Sequence, residues 1–460
     1  MRAFVLRLFP LFGAAYAFGA DPSELPGLKS DLSVCSKATG FFRVEQAPDG
    51  AWRFVTPGGH GFFMAGNNGP AQPRGDYSRA AGCAPYTRTI ETKYASKEMW
   101  AQQALSRMLT WNFNTVTSWI VPAYEPLTHR GLAVLQVQII GRTFAGHAAN
   151  SESNLYDNVK YKGVFPNVFS PEFAKHCRTY AARHMAPYRD DPWIVGWCLD
   201  NELCWRGAVE HDGYARAGTG MFDLVTTLPV MHSARRALDG FLKERGLEGV
   251  TNVSAEVKRD FLRLVARRFF ETACSAVREA DPNHLVLGCR FAGFRSTPDV
   301  AIEECGRVCD AISVNTYPPA NLEKRFVRAG WRDKRDWNVL MDENYAIAKK
   351  PFIITEWAYR AADAGLPNTH GAGQICKTQS DRAASAELFA RVMIGRKDVI
   401  GYSHFRWVDQ PKDGRGRQPG GEDSNYGLVN EDDVPYRELT EMFSRVQGDL
   451  YDLRRKGLLK

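Results

Sequence analysis

Eight short apolar runs rich in β-branched and aromatic residues alternate with longer stretches of helical periodicity from about residue 40 onward, and no repeat, low-complexity tract or linker interrupts them. These observations predict an α/β chain folded as a (β/α)8 TIM barrel. The candidate strands cover 60–66, 113–119, 132–141, 194–199, 284–290, 311–315, 352–356 and 399–405. Helical candidates fall at 97–109, 172–185, 255–280, 298–309, 341–348, 383–394 and, after the last strand, 436–453. Eight alternations suit a barrel better than a doubly wound sheet, which usually has fewer strands. Ahead of them, 40–56 (GFFRVEQAPDGAWRFVT) reads as a β-hairpin turning at Pro48-Asp49-Gly50 and is expected to plug the base of the barrel. Two connections are long, 205–252 after the fourth strand and 357–380 after the seventh. In a barrel such elaborated βα loops emerge at the face where active sites form.

The 460 residues are 44% hydrophobic and 12% aromatic, with 11 Trp, which supplies a large core and excludes wholesale disorder. The net charge of +7 is spread along the chain, so no nucleic-acid partner is expected, since that would want a clustered basic patch. No apolar stretch reaches the roughly 18 residues that a membrane span needs. Residues 1–20 carry Arg2 and Arg7, an apolar segment and Ala15-Tyr16-Ala17, the pattern of a secretory signal peptide. The expected division is therefore a signal peptide over 1–20, an extension over 21–39 and one catalytic domain over 40–460, in a secreted or periplasmic protein. Export would place ten cysteines where disulfides can form. None of them forms a CxxC, and Cys305 and Cys309, one helical turn apart, read as structural. Neither HxH nor HExxH occurs, so no metal site is expected. The Gly-rich 414–421 does not lead from a strand into a helix and so lacks the setting of a phosphate loop; no cofactor is implied. Oligomeric state is not legible.

Two carboxylates end apolar strands where a charged group is otherwise out of place. Glu202 follows the fourth run (WIVGWCLDNE) and Glu356 closes the seventh (PFIITEW). Across the mouth of a closed barrel those strand ends face each other. Carboxylates roughly 5–5.5 Å apart suit a retaining glycosidase, and a gap of roughly 6.5–9.5 Å an inverting one. Asn67, Trp119, Arg142, His147, His404 and Asp409, at or just beyond other strand ends, are placed to line the same cleft. Trp205 and Trp357 lie close behind each glutamate as candidate sugar platforms, and His370 sits on the long seventh loop. For each of these, packing or loop bracing is the alternative role.

The Asn-Glu after strand four and the Glu of strand seven resemble the signature of the clan A glycoside hydrolases. DNELCW, HLVLGCRFAG, ISVNTYPP, ITEWAYRA and the run from DQP to DVPYREL resemble the catalytic barrel of the family 50 β-agarases and their relatives, over about residues 40–455. Full-length family 50 agarases usually carry an additional N-terminal β-sandwich domain, for which this sequence has no counterpart. The resemblance implies Glu202 as general acid/base and Glu356 as nucleophile. It implies Asn201 as a hydrogen-bond partner of the sugar 2-hydroxyl, Tyr317 as a partner of the nucleophile and Trp407 as the aromatic floor under the sugar. It also implies Arg290 as a partner of the nucleophile or of a sugar hydroxyl. The function that follows is a secreted retaining β-glycosidase acting on polysaccharide or oligosaccharide, with agarose- or porphyran-type β-galactosidic links first. A β-1,3-glucanase, β-galactosidase or β-mannosidase of the same clan is the alternative, and a carbohydrate-binding barrel without catalysis is the alternative from another class.

Overall fold

A computed structural model describes residues 25–120, 123–146, 152–157, 159–209, 217–250, 252–294, 296–320, 322 and 336–458. The expected signal peptide and His147 lie outside them.

The chain opens with a four-stranded antiparallel sheet, β1 (Asp31–Cys35), β2 (Arg43–Gln46), β3 (Trp52–Val55) and β4 (His60–Phe62), in the order β1-β4-β3-β2. β2 and β3 form the expected hairpin, in register from Arg43 opposite Val55 to Gln46 opposite Trp52. There follow β5 (Met64–Asn68), α1 (Pro85–Lys93), α2 (Lys97–Thr110), β6 (Thr115–Trp119), β7 (Ala133–Val137), α3 (Ile140–Ala145), α4 (Pro171–His184) and β8 (Ile194–Cys198). The long fourth connection holds α5 (Gly220–Thr226), α6 (Ser233–Glu244) and the 26-residue α7 (Ala255–Ala280). Then come β9 (Leu285–Val286), β10 (Phe291–Ala292), α8 (Asp299–Val308), β11 (Ile312–Asn315), α9 (Trp337–Ala348) and β12 (Phe352–Trp357). A small parallel pair, β13 (Arg360–Ala361) and β14 (Ile375–Cys376), lies in the seventh connection. The chain closes with α10 (Gln379–Gly395), β15 (Val399–His404), α11 (Arg437–Gly448) and α12 (Leu450–Leu458).

The main sheet corrects the expectation of a closed eight-stranded TIM barrel. It has nine parallel strands in the order β10-β11-β12-β15-β5-β6-β7-β8-β9, and its end strands, β9 and β10, are not paired with each other. The fifth strand predicted over 284–290 is two dipeptide strands separated by Leu287–Arg290. There Gly288 (φ 77) and Arg290 (φ 43) adopt the left-handed conformation, which cannot continue a ladder. The segment between the two edge strands therefore carries the chain from one edge of an open sheet to the other. Even so, the sheet curls until Arg290 reaches Asn68 on the central strand β5.

Curling gives the strands two faces. On the inner one, Met64, Leu135, Val195, Leu287, Ile353 and Ile400 form a single cluster, closed by Phe42, Phe54 and Phe62 of the N-terminal sheet. Instead of plugging the base of a closed barrel, the hairpin joins β1 and β4 in a four-stranded sheet whose Phe42, Phe54 and Phe62 pack on the inner face. Strand residues such as Ile194, Trp197, Ile354 and Tyr402 belong to the outer cluster that meets the helices, with a register shift in β8 between Ile194 and Gly196. α7 supplies Phe261, Leu262, Val265, Phe269 and Phe270 as one apolar stripe at helical spacing, with Ser254 capping its first turn. α10 begins with a reciprocal capping box between Thr378 and Asp381. No disulfide joins the ten cysteines. Cys305 and Cys309 are buried, and Cys309 Sγ lies 3.5 Å from Cys274 Sγ. No helix among the described residues is long and apolar enough to cross a membrane.

Candidate active site

At the C-terminal ends of the parallel strands, Glu202 and Glu356 are drawn into one hydrogen-bonded network. Glu356, near the end of β12, is 9% exposed. Its Oε2 accepts from Arg290 Nη2 at 2.9 Å and its Oε1 accepts from the Tyr317 hydroxyl. Arg290 Nη1 donates to Asn201 Oδ1 at 2.9 Å. Asn315 Nδ2 donates to that same oxygen at 3.1 Å and to Glu202 Oε1 at 2.9 Å. The two glutamates are thereby connected through Arg290, Asn201 and Asn315. Since both acceptor positions of Asn201 Oδ1 are committed, its amide N–H is what this side chain has for a ligand.

Two of these residues sit on left-handed backbone, Glu202 at φ 49 and Arg290 at φ 43. For non-glycine residues that costs on the order of 1–3 kcal/mol each and persists only where surrounding contacts enforce it. Here the Glu202 N–H donates to the Arg290 carbonyl at 3.1 Å, locking the pair together. Beneath them the fully buried Asp200 carboxylate accepts from the N–H groups of Gly141 (2.5 Å), Arg142 (3.1 Å) and Asn201 (3.0 Å). A Cβ on Gly141 would stand 2.9 Å from Asp200 Oδ2, so this approach requires glycine. Burial pushes the Asp200 carboxyl up to about 7, against the pull of those N–H donors.

Burial also raises the Glu356 carboxyl above its ordinary value. The Arg290 charge opposes the rise, the Glu202 charge adds to it, and the Tyr317 hydrogen bond lowers it. Tyr317, buried beside that charge, is shifted far up and stays a protonated donor. Arg290 is fully buried, with its guanidinium 4.4 Å from the centre of the Trp119 ring and further bonds to Asn68 Oδ1 and the Thr355 carbonyl.

A cavity of about 750 Å3 borders this network at Asn68, Asn201 and Glu202, while Glu356, Arg290 and Tyr317 lie behind its lining. Of the residues expected at the site, it is lined by Asn201, Glu202, Trp119, Arg142 and Trp407. Trp407 shows only part of its ring there, because its Nε1 donates to the Tyr86 hydroxyl at 2.8 Å and its ring leans on Trp111. The lining also includes 69–72, 74–77, 405–408 and Arg415.

Other expected residues lie elsewhere. Asn67 and His404 are buried on the outer side of the sheet and bonded to each other at 3.2 Å, and desolvation keeps the imidazole neutral. Asn68, one position on, is the residue that faces the cavity, because successive strand residues point to opposite faces. Trp205 stacks on Phe270 at 5.5 Å among Phe165, Phe269 and Phe291. Trp357 packs on Phe389 at 4.5 Å with Tyr402 and Phe443, beneath the helices. Neither tryptophan presents a face to the cavity. Asp409 is spent on the last loop, accepting from Asn425, Gly427 N–H and the Tyr436 hydroxyl. His370 is exposed, with Asp423 beside its backbone N–H and its imidazole, and its carbonyl accepts from the Ser424 hydroxyl. Conversely, Asn315 and Asn68 went unnoticed in the sequence. Asn315 directly precedes Thr316-Tyr317 at a strand end, the same signal that identified Tyr317.

These placements separate two tryptophans experimentally. Trp205→Ala is expected to cost about 3–5 kcal/mol of stability through the cavity it leaves in the core. Trp119→Ala is expected to keep most stability and raise KM. Denaturant unfolding and saccharide kinetics on both variants check this, and equal destabilisation would contradict the assignment.

Among the described residues no group of three or more His, Cys, Asp or Glu is placed to hold a metal ion. No family model matches the chain. It is 25% identical over 503 residues to β-agarase A of Vibrio sp. (strain JT0107), covering 94% of this chain and 48% of that protein. It is also 25% identical over 405 residues to β-agarase B of the same strain, covering 81% of this chain and 39% of that protein. The chain thus spans less than half the length of these curated relatives. Among solved structures it superposes on an agarase, AgWH50C, with TM-score 0.74 at 21% identity, covering 95% of this chain and 67% of that one. An exo-β-agarase gives 0.75 at 21% identity, with 94% and 69% covered, and BpGH50 gives 0.74 at 20%, with 96% and 90% covered. At these identities the superpositions establish a shared fold.

Proposed function

We propose that the chain is a retaining β-glycoside hydrolase of the clan A type that cleaves polysaccharide or oligosaccharide, with agarose- or porphyran-type β-galactosidic links as its substrates. The observation that carries this reading is the buried Glu356 carboxylate held by Arg290 and Tyr317 and wired through Asn201 and Asn315 to Glu202 at a cavity wall. The similarity to β-agarases supports the hydrolase class and the substrate.

Each residue then has a task. Glu356 attacks the anomeric carbon as the glycosidic bond breaks, and Glu202 gives its proton to the departing oxygen. Glu202 then takes a proton from water, whose oxygen displaces Glu356 and frees a sugar of unchanged anomeric configuration. Burial of the nucleophile works against its ionisation, and Arg290 and Tyr317 supply the compensation. The Asn201 side-chain N–H, left free by the commitments of its Oδ1, would bind a hydroxyl of the sugar held beside Glu356. Residues 1–20 would direct the protein for export.

The test is incubation of the purified protein with agarose, porphyran, β-1,3-glucan and mannan oligosaccharides, following reducing ends and the first-formed anomer by proton NMR. Release from the galactans with the β-anomer appearing first is the expected result, and EDTA is expected to leave the rate unchanged. No release from any of the four, or the α-anomer first, would overturn the reading.

A further inference from the structure

We propose that the cavity is built for an acidic saccharide, with Arg142 recognising a sulfate ester or carboxylate on a sugar bound beside Glu202; this rests on the glycosidase reading of the cleft. Four arginines line the cavity: Arg74, Arg142, Arg406 and Arg415. Two are neutralised within the protein, Arg406 by Asp76 and Arg415 by Glu422 at 2.7 Å. Among the described residues, no carboxylate lies within ion-pair distance of Arg74 or Arg142.

Arg74 is exposed at the rim, whereas Arg142 is half-buried and fixed. Its backbone N–H is held by Asp200, and its Nη2 donates to the Asn201 carbonyl at 2.9 Å. That contact uses one of five guanidinium donors. Asp200, the carboxylate just below, spends its oxygens on backbone N–H groups and makes no bond to the guanidinium.

A half-buried guanidinium that makes no carboxylate salt bridge, its charge felt inside the protein by the buried Asp200 beneath it, and lying next to the atoms that would do chemistry, discriminates by charge. A neutral sugar settling over it strips water and returns no opposite charge. A sulfate or carboxylate meets the remaining fork in charge-assisted hydrogen bonds, the geometry guanidinium matches best. The ionised Glu356 would repel such a ligand, so a cation at this place is what an acidic substrate would need.

The experiment measures binding by calorimetry with the Glu356→Gln protein, which cannot turn over its ligand. Three oligosaccharides of equal length are compared: neutral agaro-oligosaccharide, a sulfated galactan fragment and a uronate-containing fragment. At low salt at least one acidic ligand is expected to bind about tenfold more tightly than the neutral one, the scale of one hydrogen bond to a charged group. The advantage should shrink as salt is raised. Adding Arg142→Gln should bring the ratio to near unity, and Arg142→Lys should leave part of it. Whichever acidic ligand wins assigns the anion as sulfate or carboxylate. Equal or tighter binding of the neutral ligand, or an acidic preference that survives Arg142→Gln, would overturn the inference and leave the glycosidase reading intact. Failure of all three ligands to bind would remove both. If Arg142→Gln does not fold, the wild-type ratio and its salt dependence decide.

Discussion

Glu356→Ala is expected to lower kcat by on the order of 10^4-fold or more, and added azide to restore part of the lost rate while giving a glycosyl azide of inverted configuration. Glu356 is the one carboxylate among the described residues gripped by both Arg290 and Tyr317, and no other side chain of the network stands in its position. Losses of this size are typical when a covalent nucleophile is removed and binding groups remain. Azide is small enough for the space left by the carboxyl group and negative enough to sit against Arg290. It attacks once, from the face Glu356 used, and no second displacement follows, so the anomeric centre ends inverted. Truncation also leaves the Arg290 charge buried without its partner, so Glu356→Gln should be more stable than Glu356→Ala. Wild-type turnover in either variant would remove Glu356 from the mechanism.

Arg290→Met is the second large effect. Burial raises the Glu356 carboxyl, and the Arg290 charge is the principal force holding it down. Without that charge the carboxyl rises further, so the ionised nucleophile is present only at higher pH. The acid limb of the kcat/KM profile, which reports the free enzyme, should therefore move to higher pH. At neutral pH kcat/KM should fall by roughly 10^2-fold or more, since Asn201, Asn68 and the Trp119 ring lose their common partner as well. Breaking a buried ion pair from one side costs about 3–5 kcal/mol, which denaturant unfolding would register. A drop in rate with an unmoved acid limb would show that Arg290 only braces the site.

Much of this was visible in the chain. The helix expected over 255–280 is α7 to the residue, and the hairpin turns at Pro48-Asp49-Gly50 as its composition demands. Strong periodicity and a run long enough to average over made those legible. The break in the fifth strand was not, because only Gly288 advertises a left-handed backbone and Arg290 adopts one under tertiary constraint. The strand-end glutamates stood out as a pair, since either alone has a bland explanation in solvation or ion pairing, and the structure links them through Arg290, Asn201 and Asn315. Trp205 and Trp357 misled because nearness in sequence to a glutamate does not say which face a side chain takes, and both turn to the outer helices. Asn315 was overlooked for the opposite reason, since a short amide carries no charge or bulk to mark it. Its role exists only through the two acceptors that folding brings to it.

The N-terminal sheet has a bearing on how the molecule is assembled. Lys29 donates to the Gln447 carbonyl at 2.9 Å, its own carbonyl accepts from the Tyr451 hydroxyl, and Asp31 pairs with Arg455, all across more than 400 residues of chain. A ribosome delivers the first of these groups long before the last. The floor of the molecule must therefore wait, its β1 edge unlatched, until α11 and α12 emerge. Sealing of that floor becomes the last act of folding, and a chaperone meeting the nascent protein would encounter the open edge until then.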